Sequence, residues 1–87
     1  MRLQIERGRV ERYVVQYETV IDEKFYPVVR YDSAHGYPHR DLLNWRGNVV
    51  DKIWLAPVEY GTAATEAIAA IDQDWPQLRD EFLRRRP

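Results

Sequence analysis

The sequence predicts a small α+β domain in which a four-stranded antiparallel meander is followed by two C-terminal helices packed on one face of the sheet. Apolar and polar residues alternate in several segments between residues 10 and 56, as in strands that bury one face. Residues 62–74 are rich in alanine and space their isoleucines at helical intervals. Because the chain has 87 residues, we expect one domain over 1–87, with strands over about 10–56 and helices over about 62–86.

The first two strands are predicted as a hairpin. The alternation over residues 10–21 stops at the charged group 22–24 and resumes over residues 25–32. The period of two places Phe25, Val29 and Tyr31 on one face of the second strand and Val28 on the other. Pro27 cannot donate a hydrogen bond to a neighbour, so we expect an edge or a strand start there.

A second hairpin is predicted from residues 39–44 and 49–56, with Gly47 and Asn48 in a turn that permits positive φ. In its second strand, Val50, Lys52 and Trp54 share one face. Leu3 and Ile5 are candidates for a short extra start to the sheet.

Two helices are predicted after Pro57. Thr62 is the expected N-cap of the first helix, since a threonine side chain can accept a hydrogen bond from the first turn. Trp75 precedes Pro76, and proline disfavours helical geometry in the residue before it, so we expect a break there. Pro76 then starts the second helix, where its missing N–H does no harm.

Composition argues against several classes of site and function. The chain has 13 basic and 14 acidic residues and no cysteine, which excludes disulfides, thiolate metal ligands and a thiol nucleophile. A net charge of −1 argues against binding nucleic acid through bulk positive charge. The first residues lack the apolar segment of a signal peptide and no apolar run is long enough for a membrane span, so we expect a cytoplasmic protein without membrane contact.

Most of the possible chemistry lies in residues 30–41, which hold both histidines of the chain. If the strands are placed correctly, a hairpin brings Asp32, His35, His39 and Arg40 within side-chain reach. The alternation places Arg40 and Asp41 on opposite faces of their strand, and His39 on the same face as Asp41.

Three interpretations of this cluster remain open. In the first, the two histidines His35 and His39 supply a general acid and a general base for reaction on RNA, and Asp32 orients a histidine. Arg40 or Arg30 stabilises the charge on phosphorus, with no metal or other cofactor. In the second, Asp32, His35 and His39 bind a divalent metal. In the third, the cluster only stabilises a turn of a non-catalytic interaction module.

Further residues point to nucleic acid or to a protein partner. Arg30, Trp45 and Arg46 are candidate RNA contacts, since bases stack on aromatic rings beside arginines. Helices on one face of the sheet would leave four apolar residues on the other, which predicts a homodimer or a partner-bound form through that face or through the edge strand. These four residues are Val14, Val20, Val28 and Trp54.

The run RYDSAHGYPHRD, residues 30–41, resembles a stretch in small prokaryotic proteins related to the TumE-type toxins of toxin–antitoxin operons. The resemblance implies an α+β fold, activity on RNA by binding or cleavage, and a co-encoded antitoxin as a protein partner. The positions that carry it are Tyr31, Asp32, His35, Gly36, His39 and Arg40.

Overall fold

The computed structural model describes residues 2–7, 13–33 and 37–87. Within them, five strands form one antiparallel sheet in chain order, and a single helix follows. The strands are β1 (Arg2–Arg7), β2 (Tyr13–Ile21), β3 (Lys24–Asp32), β4 (His39–Leu43) and β5 (Val49–Trp54), and the helix is α1 (Tyr60–Arg84). The sheet thus has one strand more than the predicted four, because β1 pairs with β2 along its whole length.

The prediction of two helices is wrong: α1 is one helix of 25 residues with Pro76 inside it. A proline in a helix interior costs about 3 kcal/mol because it removes a hydrogen bond. The apolar stripe of α1 continues across this point, with Ile71 and Leu78 buried on either side. Burial of two such side chains contributes about 1.5–3 kcal/mol each, enough to offset the proline. The carbonyl that loses its donor belongs to Asp72, which is exposed to water.

The start of α1 also differs from the prediction. Thr62 lies inside the helix, which begins at Tyr60 with Glu59 at the N-cap position. Glu59 makes no side-chain capping bond. Packing therefore determines where this helix begins, since the buried alanines Ala63 and Ala64 fall in its first turns.

The core lies between α1 and the central strands. In β2 the buried residues alternate with half-buried ones, and the buried set faces α1. The fully buried core side chains include Tyr13, Tyr17, Phe82, Ile71, Val15, Val28 and Val29. Arg79 of α1 also donates a 3.2 Å hydrogen bond to the hydroxyl of Thr19. The helix is thus fixed along β2 by both apolar and polar contacts.

A β-bulge in β3 overturns the predicted face of Val28. Tyr17 pairs with Val29 and Glu18 pairs with Pro27, so Val28 is an extra residue between two regular pairs. As a result Val28 is 0% exposed and belongs to the core. The bulge also shifts the residues before it, so that Tyr26 packs against the core while Phe25 is exposed. Simple alternation cannot register an extra residue, which is why it misplaced both.

The turn between β2 and β3 carries backbone strain that a substitution can relieve. Asp22 and Glu23 have positive φ values of 51° and 67°, as a two-residue type I′ turn requires. This conformation costs residues with a Cβ about 1–2 kcal/mol, and glycine avoids the cost.

We therefore expect Glu23→Gly to raise the free energy of unfolding by about 1 kcal/mol, measured by chemical denaturation. Lys24→Gly, one residue later in β3, is the matched control and should lower it by about 0.5–1 kcal/mol. A loss of stability in Glu23→Gly would show that the side chain matters more than the turn geometry.

Candidate functional site

A group of polar and aromatic side chains lies on the face of the sheet opposite α1, where β4 and β5 pair. We call it the His39 cluster: Tyr37, His39, Asp41, Lys52 and Trp54. The register places His39 opposite Trp54 and Asp41 opposite Lys52. Arg40 pairs with Tyr31 and Leu42 packs against the core, so the residues that alternate with them, His39 and Asp41, point away from α1.

Contacts within the His39 cluster are close. His39 Nε2 lies 3.4 Å from Asp41 Oδ2, and Lys52 Nζ lies 3.2 Å from Asp41 Oδ1. The ring of Trp54 meets the imidazole edge to face at 5.5 Å, and Lys52 lies 5.3 Å from the centre of the same indole ring. The Lys52–Asp41 contact is an ion pair without hydrogen-bond alignment, since Oδ1 makes no hydrogen bond. The cluster thus joins β4 to β5 by charge and ring contacts.

Both ring nitrogens of His39 face oxygen atoms. Nδ1 lies 3.1 Å from the carbonyl oxygen of Tyr37, and Nε2 faces the Asp41 carboxylate. A neutral imidazole can donate to only one of these acceptors, whereas an imidazolium donates to both. His39 is also buried, at 7% exposure. The ring nitrogens are therefore engaged by the protein, an arrangement that favours the structural interpretation of this histidine.

Arg40 lies on the face of the sheet that α1 covers, opposite the His39 cluster. It pairs with Tyr31, on the side where α1 packs. Burial raises the pKa of the Tyr31 hydroxyl, and the neighbouring Arg40 opposes that rise. The structure therefore places Arg40 next to Tyr31 and on the face opposite the imidazole of His39, whereas the predicted site had placed these two side chains within reach of each other.

Of the other predicted catalytic residues, Asp32 lies within the described structure and His35 does not. Asp32 is directly opposite His39 in the register of β3 and β4. Ser33 fixes the end of this hairpin to β2, since its Oγ accepts a 2.8 Å hydrogen bond from the Tyr13 N–H. His35 and Gly36 lie outside the described residues. Acid–base catalysis by the two histidines therefore stays a prediction.

The three predicted RNA contacts, Arg30, Trp45 and Arg46, have different surroundings in the structure. The Arg30 Nε donates a 2.7 Å hydrogen bond to Gln16, which in turn bonds to Glu18. Trp45 stacks on Phe82 with ring centres 4.9 Å apart, and its Nε1 donates a 2.8 Å hydrogen bond to the Phe82 carbonyl. Arg46 is exposed in the turn before Gly47, whose φ of 80° is the positive value expected there. Trp45 thus attaches the β4–β5 turn to the end of α1.

Sequence analysis did not identify Tyr37, Asp41 and Lys52 as site residues. Tyr37 and Trp54 are 69% and 65% exposed, the two most exposed of the large apolar side chains in the described residues. Lys52 and Trp54 are two residues apart in a strand, a spacing that places them on one face. That signal was present in the sequence, but which face α1 covers could not be read from it.

The described residues hold neither a cluster suited to a metal ion nor a helix suited to a membrane. No group of three or more His, Cys, Asp or Glu side chains there is arranged to hold a metal ion. No helix in this part of the chain combines the length and apolar character that crossing a membrane requires.

The fold and this cluster define a small α+β domain with a five-stranded meander sheet, one covering helix and a polar–aromatic group on the opposite face. The chain belongs to the family described as Domain of unknown function (DUF7718), whose model matches residues 1–87. No curated protein and no solved structure matches it. The resemblance to TumE-type toxins thus still depends on the residues quoted for it.

His39→Ala tests the structural interpretation. The change leaves the buried Asp41 carboxylate without its histidine neighbour and should lower the free energy of unfolding by about 1–3 kcal/mol in chemical denaturation. Arg46→Ala, at an exposed turn position, is the control and should stay within about 0.5 kcal/mol of the parent. Equal stability of His39→Ala and the parent would contradict a structural role.

Proposed function

We propose that the protein is a non-catalytic interaction module that pairs with a second copy of itself through the free edge of β5. The observation that carries this proposal is the exposure of all six residues of β5. Four of them are large and apolar: Val49, Val50, Ile53 and Trp54. Because β5 is the last strand of the sheet, one of its edges has no strand neighbour among the described residues. An exposed apolar edge strand is a template for pairing with another chain.

The backbone groups available at this edge follow from one hydrogen bond. The Leu55 N–H donates to the Pro38 carbonyl at 3.0 Å, so Leu55 directs its backbone groups toward β4. In an antiparallel pair, successive residues direct these groups alternately toward one neighbour and the other. Ile53 therefore faces β4, and the N–H and C=O groups of Lys52 and Trp54 point to the free edge.

Charge disfavours two registers of the pairing. A two-fold axis through an antiparallel strand pair places one residue opposite its own copy. Centring on Asp51 opposes two carboxylates, and centring on Lys52 opposes two ammonium groups, both of which are unfavourable. Centring on Ile53 opposes two apolar side chains instead. It also places Lys52 of one copy opposite Trp54 of the other, where an ammonium and an indole attract each other.

The lack of cysteine in the natural chain makes this register directly testable. In the Ile53-centred register, the two copies of residue 53 form a non-hydrogen-bonded pair, whose Cα atoms lie about 4.5 Å apart, within disulfide range. We expect Ile53→Cys to form a disulfide-linked dimer under mild oxidation, seen by non-reducing electrophoresis. Asp51→Cys and Lys52→Cys are matched controls and should crosslink far more slowly.

Two results would contradict the proposal. One is a monomeric mass of the parent protein by light scattering across the micromolar range. The other is equal crosslinking of the three cysteine variants, which would indicate random collision. Faster crosslinking of Lys52→Cys would replace the Ile53-centred register with one centred on Lys52.

A second candidate is the binding of single-stranded RNA to the His39 cluster, which needs no catalysis. The observation that favours it is the pair of exposed rings of Tyr37 and Trp54, whose centres are 6.5 Å apart, beside the ammonium of Lys52. Exposed aromatic rings next to a cation are the usual means of stacking bases and contacting phosphate. This candidate keeps the RNA-related activity that the resemblance implies. The co-encoded antitoxin stays a prediction.

Tyr37→Ala separates the two candidates, because Tyr37 lies outside β5. If RNA binds, this variant should weaken the affinity for an oligouridine of about ten nucleotides by about tenfold, measured by fluorescence anisotropy at low salt, while the mass of the dimer stays unchanged. Phe25→Ala removes an exposed aromatic ring elsewhere in the sheet and is the control. Lack of affinity of the parent for the oligonucleotide would reject RNA binding. Cleavage of the oligonucleotide by the parent protein would support acid–base roles for His35 and His39.

A further inference from the structure

We propose that the α1 side of β4 and β5 is a docking surface for a short amphipathic helix of a partner protein, basic along the flank that faces α1. We call this surface the α1-side groove. Its wall is α1, and its floor includes Arg40, Leu42, Asp51 and Ile53. The groove lies on the face opposite the His39 cluster and leaves the free edge of β5 open, so this proposal does not depend on the proposed function.

The pairing register identifies the floor of the groove. Arg40 pairs with Tyr31 and Leu42 packs against the core, so both point to the side that carries α1. Ile53 lies opposite Arg40, and Asp51 lies opposite Leu42, so both share that side. Because α1 packs on β2 and β3, this part of the sheet stays open, and Ile53 is 43% exposed. The helical layer of the domain is therefore incomplete over β4 and β5.

The open strip has the dimensions of one helix. Neighbouring strands are about 4.8 Å apart, so β4 and β5 offer a width of about 10 Å, the diameter of a helix with its side chains. The six residues of β5 extend over about 20 Å, the length of about 13 helical residues. A helix of about four turns thus fits beside α1.

Two cavities lie where the floor meets α1. The first has a volume of about 250 Å³ and lies between Tyr13 of β2, the residues after β5 and three alanines of α1, which are Ala63, Ala67 and Ala70. The second, of about 300 Å³, lies farther along α1, above β4. Alanines on this flank allow a second helix to approach α1 closely, and its apolar side chains can enter the first cavity.

The charges along the groove favour a basic partner. Glu66 lines the first cavity, and Asp74 and Glu81 line the second. These three acids are eight and seven residues apart, about two helical turns, so they form a row on one flank of α1. Arg40 is the one basic residue that lines either cavity in the described part of the chain. Lysine or arginine side chains two turns apart on a partner helix can therefore pair with this row, as charges beside the seam of a coiled coil do.

A second copy of this chain is not the occupant. Within residues 2–7, 13–33 and 37–87, α1 is the only helix, and its apolar stripe is already buried against β2 and β3. None of the large apolar side chains that are exposed in these residues belongs to α1. Placing α1 of another copy in the groove would also bring acidic residues against the acidic row. The helix that fits is therefore supplied by a different protein.

A display library of synthetic helical peptides tests the proposal on the full chain. Each peptide has about 14 residues, with leucines along one helical face and lysine, glutamate or glutamine at the flanking positions. We expect selection on the parent protein to enrich lysine over glutamate about tenfold at the flank, with a dissociation constant on the order of 10 μM for the best peptide. In two-dimensional NMR that peptide should shift amide resonances of Ile53, Leu55 and Ala70. It should leave the oligomeric state unchanged in light scattering, which separates this test from that of the β5 edge.

One pair of variants tests the place of binding. Ala70→Arg puts a large side chain at a half-buried position on the wall, and we expect it to weaken the selected peptide about tenfold or more. Ala69→Arg is the matched control, because Ala69 is exposed and lines neither cavity, and it should change the affinity less than about twofold. The melting temperature shows whether each variant folds.

A second pair of variants tests the charge without disturbing the packing. Asp74→Asn combined with Glu81→Gln neutralises two acids of the row and should weaken the selected lysine-rich peptide about fivefold at low salt. Asp72→Asn combined with Asp80→Asn neutralises two exposed acids that line neither cavity, and it should change the affinity less than about twofold. This pair decides the test if Ala70→Arg does not fold.

Four results would overturn the proposal. The first is failure of the selection to yield any peptide that binds the parent with a dissociation constant below about 1 mM. The second is enrichment of glutamate, or of neither charge, at the flanking positions. The third is equal affinity of the two variants within either folded pair for the selected peptide. The fourth is a set of resonance shifts confined to the His39 cluster, since the peptide would then lie on the other face of the sheet.

Discussion

The rest of the structure depends on one packing constraint: a single helix covers a sheet of five strands. A helix with its side chains is about 10–12 Å wide, and neighbouring strands are about 4.8 Å apart, so one helix covers little more than two strands. In this protein α1 packs on β2 and β3, where Tyr13, Val15 and Tyr17 are buried. The consequence is an asymmetric domain. One half of the sheet has a conventional core, and at the other end β5 is exposed along its whole length.

The side chains of β4 and β5 show how this half of the sheet is held without a covering helix. Lys52 of β5 forms an ion pair with Asp41 of β4, and Trp54 of β5 makes ring contacts with His39 of β4 and with Lys52. At the far end, Trp45 attaches the connecting turn to Phe82. Polar cross-strand contacts thus replace part of an apolar core. The same contacts present exposed aromatic and basic groups to solvent, which is why structural and binding roles coincide on this surface.

Features that repeat with a fixed period along the chain could be predicted from the sequence, whereas irregular features could not. Alternation located the strands from residue 13 onward to within a few residues. The hairpin argument, in contrast, brought Arg40 together with His39, although the two lie on opposite faces of the sheet. Alternation failed at Val28, because a bulge adds one residue that no period of two can contain. Pro76 was predicted to separate two helices, but the apolar stripe formed by Ile71, Leu78 and Phe82 continues past it in one helix. The cavity at Tyr13 could not have been predicted, since it depends on alanines of α1 and residues after β5 meeting across the sheet.

The order of the sheet has a consequence for how the chain folds. Each strand pairs with its neighbour in the sequence, so the meander is assembled from hairpins that need only short loops to close. The contacts of the helix, in contrast, join residues far apart in the sequence: Arg79 and Thr19 are 60 residues apart. Closing such a long loop is slow and is rewarded only when the core side chains meet. We therefore expect strand pairing to precede helix docking, with the arrival of α1 on β2 as the step that sets the folding rate.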